Sequence, residues 1–374
     1  MKDSCLIIGA GAIGKSVAGY SFSRAGYFPV FADVSAEVIN DLNNRREYRI
    51  YKSKEQYDTV GNVSCIDAKD IPAVINIASK VGYICCSTGE SGLKSVLYTL
   101  GEAIKVRKSN LPLYILFCEN IKGIKEISTL YFQSINADMS CVRLIETSIE
   151  RMTKPFFHHT GRYDVMAESY IPIILSKDDV EKSNLFDNYP DLFMPVDNID
   201  AYYSRKIHTN NLGHSVIGYM GYLKKYDCVS QAVCDDEIRV LLDKALIEAG
   251  EMLKKKYGFS DAQMQSHIEV LVNERYSNNN LSDPVTRVAR DPIRKLSRDE
   301  RLTGTALSCL EYDIFPEAVI KTISFALKYN NPDDKQAMQL NSLYRRGCID
   351  DILTNICGLN RAEELFKELQ KEFL

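Results

Sequence analysis

The residues of this chain best equipped for chemistry lie in one short segment, 204–221, which reads SRKIHTNNLGHSVIGYMG. Lys206, Asn211 and His214 stand there in K-x4-N-x2-H spacing, beside a second asparagine and a second histidine. A lysine can exchange a proton with a reacting oxygen if burial or a neighbouring cation lowers its pKa from about 10.4 toward 7–8. Asn211 can donate a hydrogen bond to an oxygen on which charge develops, and His214 can bind an adjacent hydroxyl. The set suits reduction of a carbonyl by hydride, where the developing alkoxide needs a proton donor and the reverse reaction needs a base. Spacing alone equally describes a capped helix carrying a solvated lysine.

A hydride carrier has its own signature near the start, in CLIIGAGAIGKSVAGYSFSRAGYFPVFADVS at residues 5–35. Gly9, Gly11 and Gly14 have G-x-G-x-x-G spacing, with Ala12 and Ile13 completing the turn. An apolar strand precedes them. A helix follows, with Ile13, Val17 and Tyr20 on one face and Gly26 as its stop. Gly9 allows the tight turn, Gly11 lets a pyrophosphate approach the backbone, and Gly14 lets helix and strand pack closely. The pyrophosphate would meet the unpaired N–H groups of the helix N-terminus. Asp33, 19 residues after Gly14, ends the second strand. A carboxylate there accepts both ribose hydroxyls of NAD and repels the 2′-phosphate of NADP. The alternative for Asp33 is a cap on the next helix. Pro29 lacks a ladder donor and is expected to mark the strand's first residue.

These two sites need elements to hold them. Short apolar runs at 5–8, 30–32, 83–86, 113–118 and 141–145 alternate with helical patterns such as 93–106 and 123–134. That alternation predicts a parallel α/β sheet covered on both faces. A run at 163–175 is expected to extend it. The pattern breaks over 184–198, with Asn, Asp and two prolines. Beyond it, 237–256, 317–328, 335–346 and 361–373 carry apolar residues at three- and four-residue spacing. Gly258 and Gly358 sit where helices would stop. Asp283-Pro284 and Asp291-Pro292 read as N-caps followed by Pro. The predicted fold class is α/β: an N-terminal Rossmann-type doubly wound sheet at 1–198 and a C-terminal all-helical substrate domain at 199–374. Serine 87 and Glu119-Asn120, at the ends of two strands, sit where open α/β sheets place ligands, although Glu119 or Asn120 would serve equally as a helix cap.

Composition narrows the class. At 374 residues the chain suits two domains. Its formal charge of −4 gives no broad reason to expect nucleic acid or an anionic membrane as partner. No apolar window approaches the roughly 18 residues a membrane span requires. MKDSCLIIG enters a strand without an export signal, so the eleven cysteines are expected to be reduced thiols in the cytoplasm. No pair has C-x-x-C spacing, and no metal is expected.

RKIHTNNLGH closely resembles the signature of the polyol-specific long-chain dehydrogenases, the mannitol dehydrogenase family. The resemblance extends over nearly the whole chain. It takes in GAGAIGK, FADVSAEVINDLNNR, CENIKG at 118–123, SIERMTKP at 148–155, VDNIDAYYSRK, SDPVTRVARDPIRKLSRDERL and NNPDDKQA. The resemblance implies a metal-independent, NAD-dependent enzyme in which Lys206 is the general acid/base. Asn211 and His214 would hold the reacting oxygen and a neighbouring hydroxyl. The implied reaction interconverts D-mannitol 1-phosphate and fructose 6-phosphate. Two departures stand out: STGESG at 87–92 replaces a usual Val-Gly-Pro sequence, and Glu146 stands where relatives carry Asn or Asp. A longer carboxylate there could bind a substrate hydroxyl, tune Lys206, or simply reflect drift.

A sugar phosphate needs cations, and Arg287, Arg290, Arg294, Lys295 and Arg298 offer them, two beside the Asp-Pro starts. Solvated or carboxylate-paired arginines are the alternative. The implied partner is a small polyol or sugar phosphate; oligomeric state stays open, a monomer included. A dehydrogenase of a free polyol or sugar acid on the same scaffold, and a silent NAD-binding redox sensor, are the rival readings. The intact trio Lys206, Asn211 and His214 speaks against the second.

Overall fold

The computed structural model describes residues 3–119, 121, 123–157, 161–181 and 183–373. The chain divides into two compact units, Met1–Ile199 and Asp200–Leu374.

Among its described residues the first unit carries twelve strands: β1 Ser4–Ile8, β2 Phe28–Asp33, β3 Glu47–Tyr51, β4 Tyr57–Gly61, β5 Ser64–Asp67, β6 Tyr83–Cys86, β7 Leu113–Phe117, β8 Val142–Ser148, β9 Thr153–Phe157, β10 Tyr163–Ala167, β11 Ile173–Ser176 and β12 Phe193–Val196. Eight form one sheet in the order β12-β11-β8-β7-β6-β1-β2-β5. From β5 to β8 every neighbour is parallel, and β11 returns antiparallel to β8. The chain therefore winds outward from β1 in both directions, and the order reverses between β1 and β6. In open α/β sheets the crevice beyond the strand ends at such a switch point binds the ligand.

The unbroken apolar runs have a physical reason. Cys5 and Ile7 of β1 join a core with Val17, Phe22 and Phe31, while Leu6 and Ile8 join a second core with Leu97, Leu100 and Ile115. Both faces of the strand are buried, so alternation with polar residues is absent. Pro29 is the second residue of β2, one later than expected, and faces Cys5. Pairing with β5 begins only at Val30, so no ladder partner lies opposite the missing N–H.

The run 163–175 does not extend the main sheet as one strand. It splits at Glu168–Pro172 into β10, which belongs to a separate sheet β4-β3-β10-β9, and β11. That second sheet anchors the helix after the glycine turn. Tyr48 Oη donates to the Lys15 carbonyl at 2.7 Å, the buried Lys15 ammonium donates to the Tyr163 carbonyl at 2.6 Å, and Arg151 donates to the carbonyls of Ser16 and Glu168. The break at 184–198 contains a short helix, Asn184–Asn188, and β12.

The second unit is helical. Leu212, Val216 and Tyr219 of helix Leu212–Leu223 share a core with Leu242 and Leu246 of Asp236–Tyr257 and with Ile323 and Leu327 of Glu317–Lys328. Asp235 caps the long helix through the N–H groups of Glu237 and Ile238, and Gly258 ends it at φ +75°. Of the two Asp-Pro starts, the second has Asp291 at the N-cap and Pro292 after it as expected, and the first is shifted by one residue. Helix Val285–Ala289 has Pro284 at its N-cap while Asp283 pairs with Arg287; Asp291 holds the next cap position at φ +58° without a side-chain cap bond. Among the described residues no helix is long and apolar enough to cross a membrane.

Candidate functional site

The glycine turn closes between β1 and the helical run 14–24. Gly9 adopts φ +102°, and a Cβ there would lie 2.5 Å from the Ser87 carbonyl oxygen. A Cβ on Gly14 would lie 1.9 Å from the Gly9 carbonyl oxygen, so only glycine lets the helix start this close to the strand. Around a Gly11 Cβ nothing lies within 4 Å, which leaves open space on the backbone where a pyrophosphate would approach. Ala12 accepts a hydrogen bond from Ser16 Oγ at 2.7 Å, and Ile13 packs partly buried against the core. The first turn, Gly14–Gly19, is a π-helix.

At the end of β2 the Asp33 carboxylate accepts the N–H of Ala10 at 2.7 Å and of Ser35 at 2.9 Å. The cap of the next helix is Ser35, through Val38 N, so Asp33 is not that cap. Asp33 lines a cavity of about 680 Å³ together with Gly9, Gly11, Ser87, Thr88 and Ser95. A larger cavity of about 940 Å³, lined by Tyr27, Tyr83 and Tyr114, opens at the amino ends of the strands. The smaller one lies at the carboxyl ends beside the switch point, the place where open α/β sheets bind their ligands.

Serine 87 donates to the Gly9 carbonyl at 3.1 Å, tying β6 to the glycine turn. The unusual loop that it opens is held by Glu119: the N–H groups of Thr88 and Gly89 both donate to the Glu119 carboxylate, at 2.5 and 3.0 Å. Burial raises the pKa of this carboxyl against those hydrogen bonds. Glu119 thus faces the loop that borders the cavity, with its carboxylate engaged by loop amides. Asn120 lies outside the described residues. Glu146, on β8, accepts the N–H of Lys125 at 3.2 Å, at the start of helix Ile124–Ser134.

In the second unit the K-x4-N-x2-H segment does not follow a plain α-helix. Lys206–Asn211 is a π-helical turn between helices Ile199–Arg205 and Leu212–Leu223. On an α-helix, residues five apart point about 140° away from each other. A π-turn closes after five residues and returns Asn211 to the face of Lys206. His214, three further on in α register, stays near that face.

Hydrogen bonds fix much of the turn, although the buried Asn210 Oδ1 has no partner among the described residues. Tyr276 Oη donates to the Asn210 carbonyl at 3.0 Å, and its ring meets the His214 ring edge-to-face at 4.9 Å. Gly213 makes room, since a Cβ there would lie 2.3 Å from the Tyr276 hydroxyl. Thr305 Oγ1 donates to the Arg301 carbonyl at 2.7 Å and so accepts from His208 Nδ1 at 2.8 Å. Thr209 Oγ1 donates to the Arg205 carbonyl, and accepts from His267 Nε2 at 2.8 Å. Burial, then the charges of Arg275 and Arg301, push the half-buried His214 down to about 3. Burial pushes His208 down to about 4. At neutral pH both are uncharged imidazoles.

This has a consequence for stability. His208 is 8% exposed and ionises at about 4 rather than 6.5. The unfolded chain takes up its proton first as pH falls, so stability is retained above 6.5 and declines between about 6.5 and 4, by up to about 3 kcal/mol. Urea unfolding of the wild type and His208→Gln at pH 7.5 and 5 checks this. The wild type is expected to lose more stability than the variant between the two pH values; equal losses would show that His208 is not the group responsible.

The proposed phosphate cations do not converge as a group. Arg287 pairs with Asp283, Arg290 with Asp291 at 3.7 Å, Arg294 with Glu300 at 2.9 Å and Arg298 with Glu363 at 2.6 Å. Lys295 alone of the set turns inward, 3% exposed, donating to the Val288 carbonyl. Burial, then Arg301 and Arg294, lower it to about 7. The sequence reading missed Arg301, Arg275 and Tyr276. Arg301 stands three residues past Arg298 in the same basic run, and no spacing rule separates the outward cation from the inward one. Among the described residues no group of three or more His, Cys, Asp or Glu side chains could hold a metal ion.

Comparison with known proteins fits these features. The mannitol dehydrogenase Rossmann domain matches residues 4–186, and the mannitol dehydrogenase C-terminal domain matches 198–353. Mannitol-1-phosphate 5-dehydrogenase of Geobacillus stearothermophilus is 31% identical, over 96% of this chain and 95% of that protein. The enzyme of the same name from Bacillus subtilis (strain 168) is 30% identical over 98% of each chain. Among solved structures, Pseudomonas fluorescens mannitol 2-dehydrogenase, in a ternary complex with NAD and D-mannitol, superposes with a TM-score of 0.68 at 14% identity. That match covers 100% of this chain and 91% of the other. With both domain profiles in order along the chain and relatives at 30% identity over its full length, the chain belongs to the mannitol dehydrogenase family.

Proposed function

We propose that the protein interconverts D-mannitol 1-phosphate and fructose 6-phosphate with NAD as cofactor. The observation that carries the reading is the near full-length similarity to two enzymes of that name, and the π-turn at Lys206–Asn211 supports it, since a five-residue turn suits the spacing of Lys206 and Asn211. When bound, NADH supplies the hydride that reduces the ketone carbon. Gly9, Gly11 and Gly14 leave the backbone open to its pyrophosphate, and Ala12 and Ile13 begin the helix whose N-terminus faces that anion. Asp33 accepts the ribose hydroxyls and repels a 2′-phosphate. Ser87 and Glu119 hold the loop that borders the cofactor; Asn120 is assigned to the same region from sequence alone.

Lys206 is the general acid in reduction and the base in oxidation. It gives a proton to the oxygen at C2 of fructose 6-phosphate, the atom that becomes the C5 hydroxyl of mannitol 1-phosphate, and takes it back in reverse. Asn211 steadies that oxygen as charge develops on it. His214, held neutral, can accept from or donate to a neighbouring hydroxyl according to its tautomer. Glu146 is a substrate-hydroxyl candidate on β8. All eleven cysteines are unpaired, which suits a reducing, cytoplasmic setting.

Product analysis tests the stereochemistry and the phosphate requirement together. With NADH and fructose 6-phosphate, NMR of the product is expected to show mannitol 1-phosphate. Glucitol 6-phosphate would mean that the opposite face of the ketone is reduced. Absence of any product, with a different keto sugar consumed, would move the protein to another substrate.

A further inference from the structure

The basic run from Asp283 to Arg301 holds two kinds of cation. Arg287, Arg290 and Arg294 have side chains 55%, 64% and 48% exposed, each within reach of a carboxylate. Lys295 and Arg301 turn inward, and the Arg301 side chain is 14% exposed. Glu300 receives Arg301 Nε at 3.1 Å and also Arg294 at 2.9 Å, so one carboxylate serves two guanidiniums. Among the described residues Lys295 donates to a neutral carbonyl alone, and its ammonium lies 5.8 Å from the centre of the Tyr219 ring. The Tyr219 hydroxyl is buried and has no hydrogen-bond partner among the described residues. Lys295 and Arg301 thus have one directly bonded carboxylate between them, with the Asp291 and Asp334 charges farther off, and buried cations so sparingly paired are costly unless an anion completes them.

These cations border the chemistry. The Arg301 carbonyl is linked through Thr305 Oγ1 to His208, inside the turn that carries Lys206 and Asn211. The Arg301 and Lys295 charges both bear on His214. Arginine's planar fork matches two phosphate oxygens, and a partly open guanidinium can use it.

We infer that Arg301, reinforced by Lys295, is the anchor for the substrate's phosphate, and that the exposed arginines of the same run are not. The inference rests on the polyol-phosphate reading above and names the residue that enforces it. Glu300 then orients the guanidinium, leaving its terminal nitrogens for the ligand.

The test measures kcat/KM for fructose 6-phosphate and for fructose in the wild type, Arg301→Gln, Arg301→Lys and Arg287→Gln, with NADH binding as the check on folding. The ratio of the two values is expected to fall at least about thirty-fold in Arg301→Gln, the loss of one charge-assisted ligand contact. A smaller fall is expected in Arg301→Lys, and less than about twofold change in Arg287→Gln. If Arg301→Gln does not fold, Arg301→Lys carries the test through phosphite dianion, which should accelerate fructose reduction in the wild type and do so at least about tenfold more weakly in the variant. A preserved ratio in folded Arg301→Gln, or phosphite activation unchanged in Arg301→Lys, overturns the assignment. A wild type with no preference for fructose 6-phosphate overturns the polyol-phosphate reading itself, and the assignment with it.

Discussion

Replacing Lys206 by alanine is expected to lower kcat for fructose 6-phosphate reduction by about 10²–10⁴-fold while NADH still binds. That range is what a positioned general acid contributes when it protonates a developing alkoxide. The loss should fall on kcat and kcat/KM alike, because the proton is transferred only in the transition state. The groups proposed to hold NADH all lie within Met1–Ile199, whereas Lys206 lies in Asp200–Leu374. Fluorescence titration with NADH therefore separates a lost proton donor from a lost fold. If Lys206→Ala turns over at the wild-type rate, Lys206 leaves the mechanism, and the π-turn needs another explanation.

The second large effect concerns the cofactor. Asp33→Asn keeps the shape of the side chain and removes its charge. Two hydrogen bonds from ribose hydroxyls to a carboxylate are worth about 1.5–3 kcal/mol each, so kcat/KM with NADH should fall by roughly 10²-fold or more. The same change removes the repulsion toward a 2′-phosphate, so the preference for NADH over NADPH should narrow. Because Asp33 also accepts the N–H groups of Ala10 and Ser35, part of the loss will reflect a looser glycine turn. That part acts on both cofactors equally and cancels in their ratio. An unchanged ratio would detach Asp33 from the ribose.

The cofactor half of the molecule was legible because its chemistry uses backbone geometry. A strand, a turn that only glycine can make and a carboxylate at the next strand end are local features, and the contacts of Gly9 and Gly14 are those their spacing implies. The second sheet was not legible. Glu47–Tyr51 and Tyr57–Gly61 mix charged and aromatic residues on short strands, and β10 finds β3 across more than a hundred residues. The π-turn at Lys206–Asn211 was hidden as well, since its i-to-i+5 bonding leaves no residue-type signature. The candidate residues were readable from type and family resemblance, while the π-turn that carries two of them was not.

The basic run shows the same limit more sharply. Arg287, Arg290, Arg294 and Lys295 were grouped by composition, yet the fold sends them to different environments. Arg301 differs from its neighbours in burial, with its side chain 14% exposed and its carbonyl held by the Thr305 hydroxyl of helix Thr303–Glu311. Charge can be counted from a sequence. Whether that charge faces water or a ligand is decided by packing.

The central claim is that this chain transfers hydride between NADH and a phosphorylated keto sugar. The most direct test follows NADH absorbance after adding fructose 6-phosphate to the chelator-treated protein, with fructose and NADPH as parallel arms. Rapid oxidation of NADH with fructose 6-phosphate, and slow reaction in both other arms, is the result expected. Turnover with fructose matching that with fructose 6-phosphate, or no oxidation of NADH by either, would contradict it.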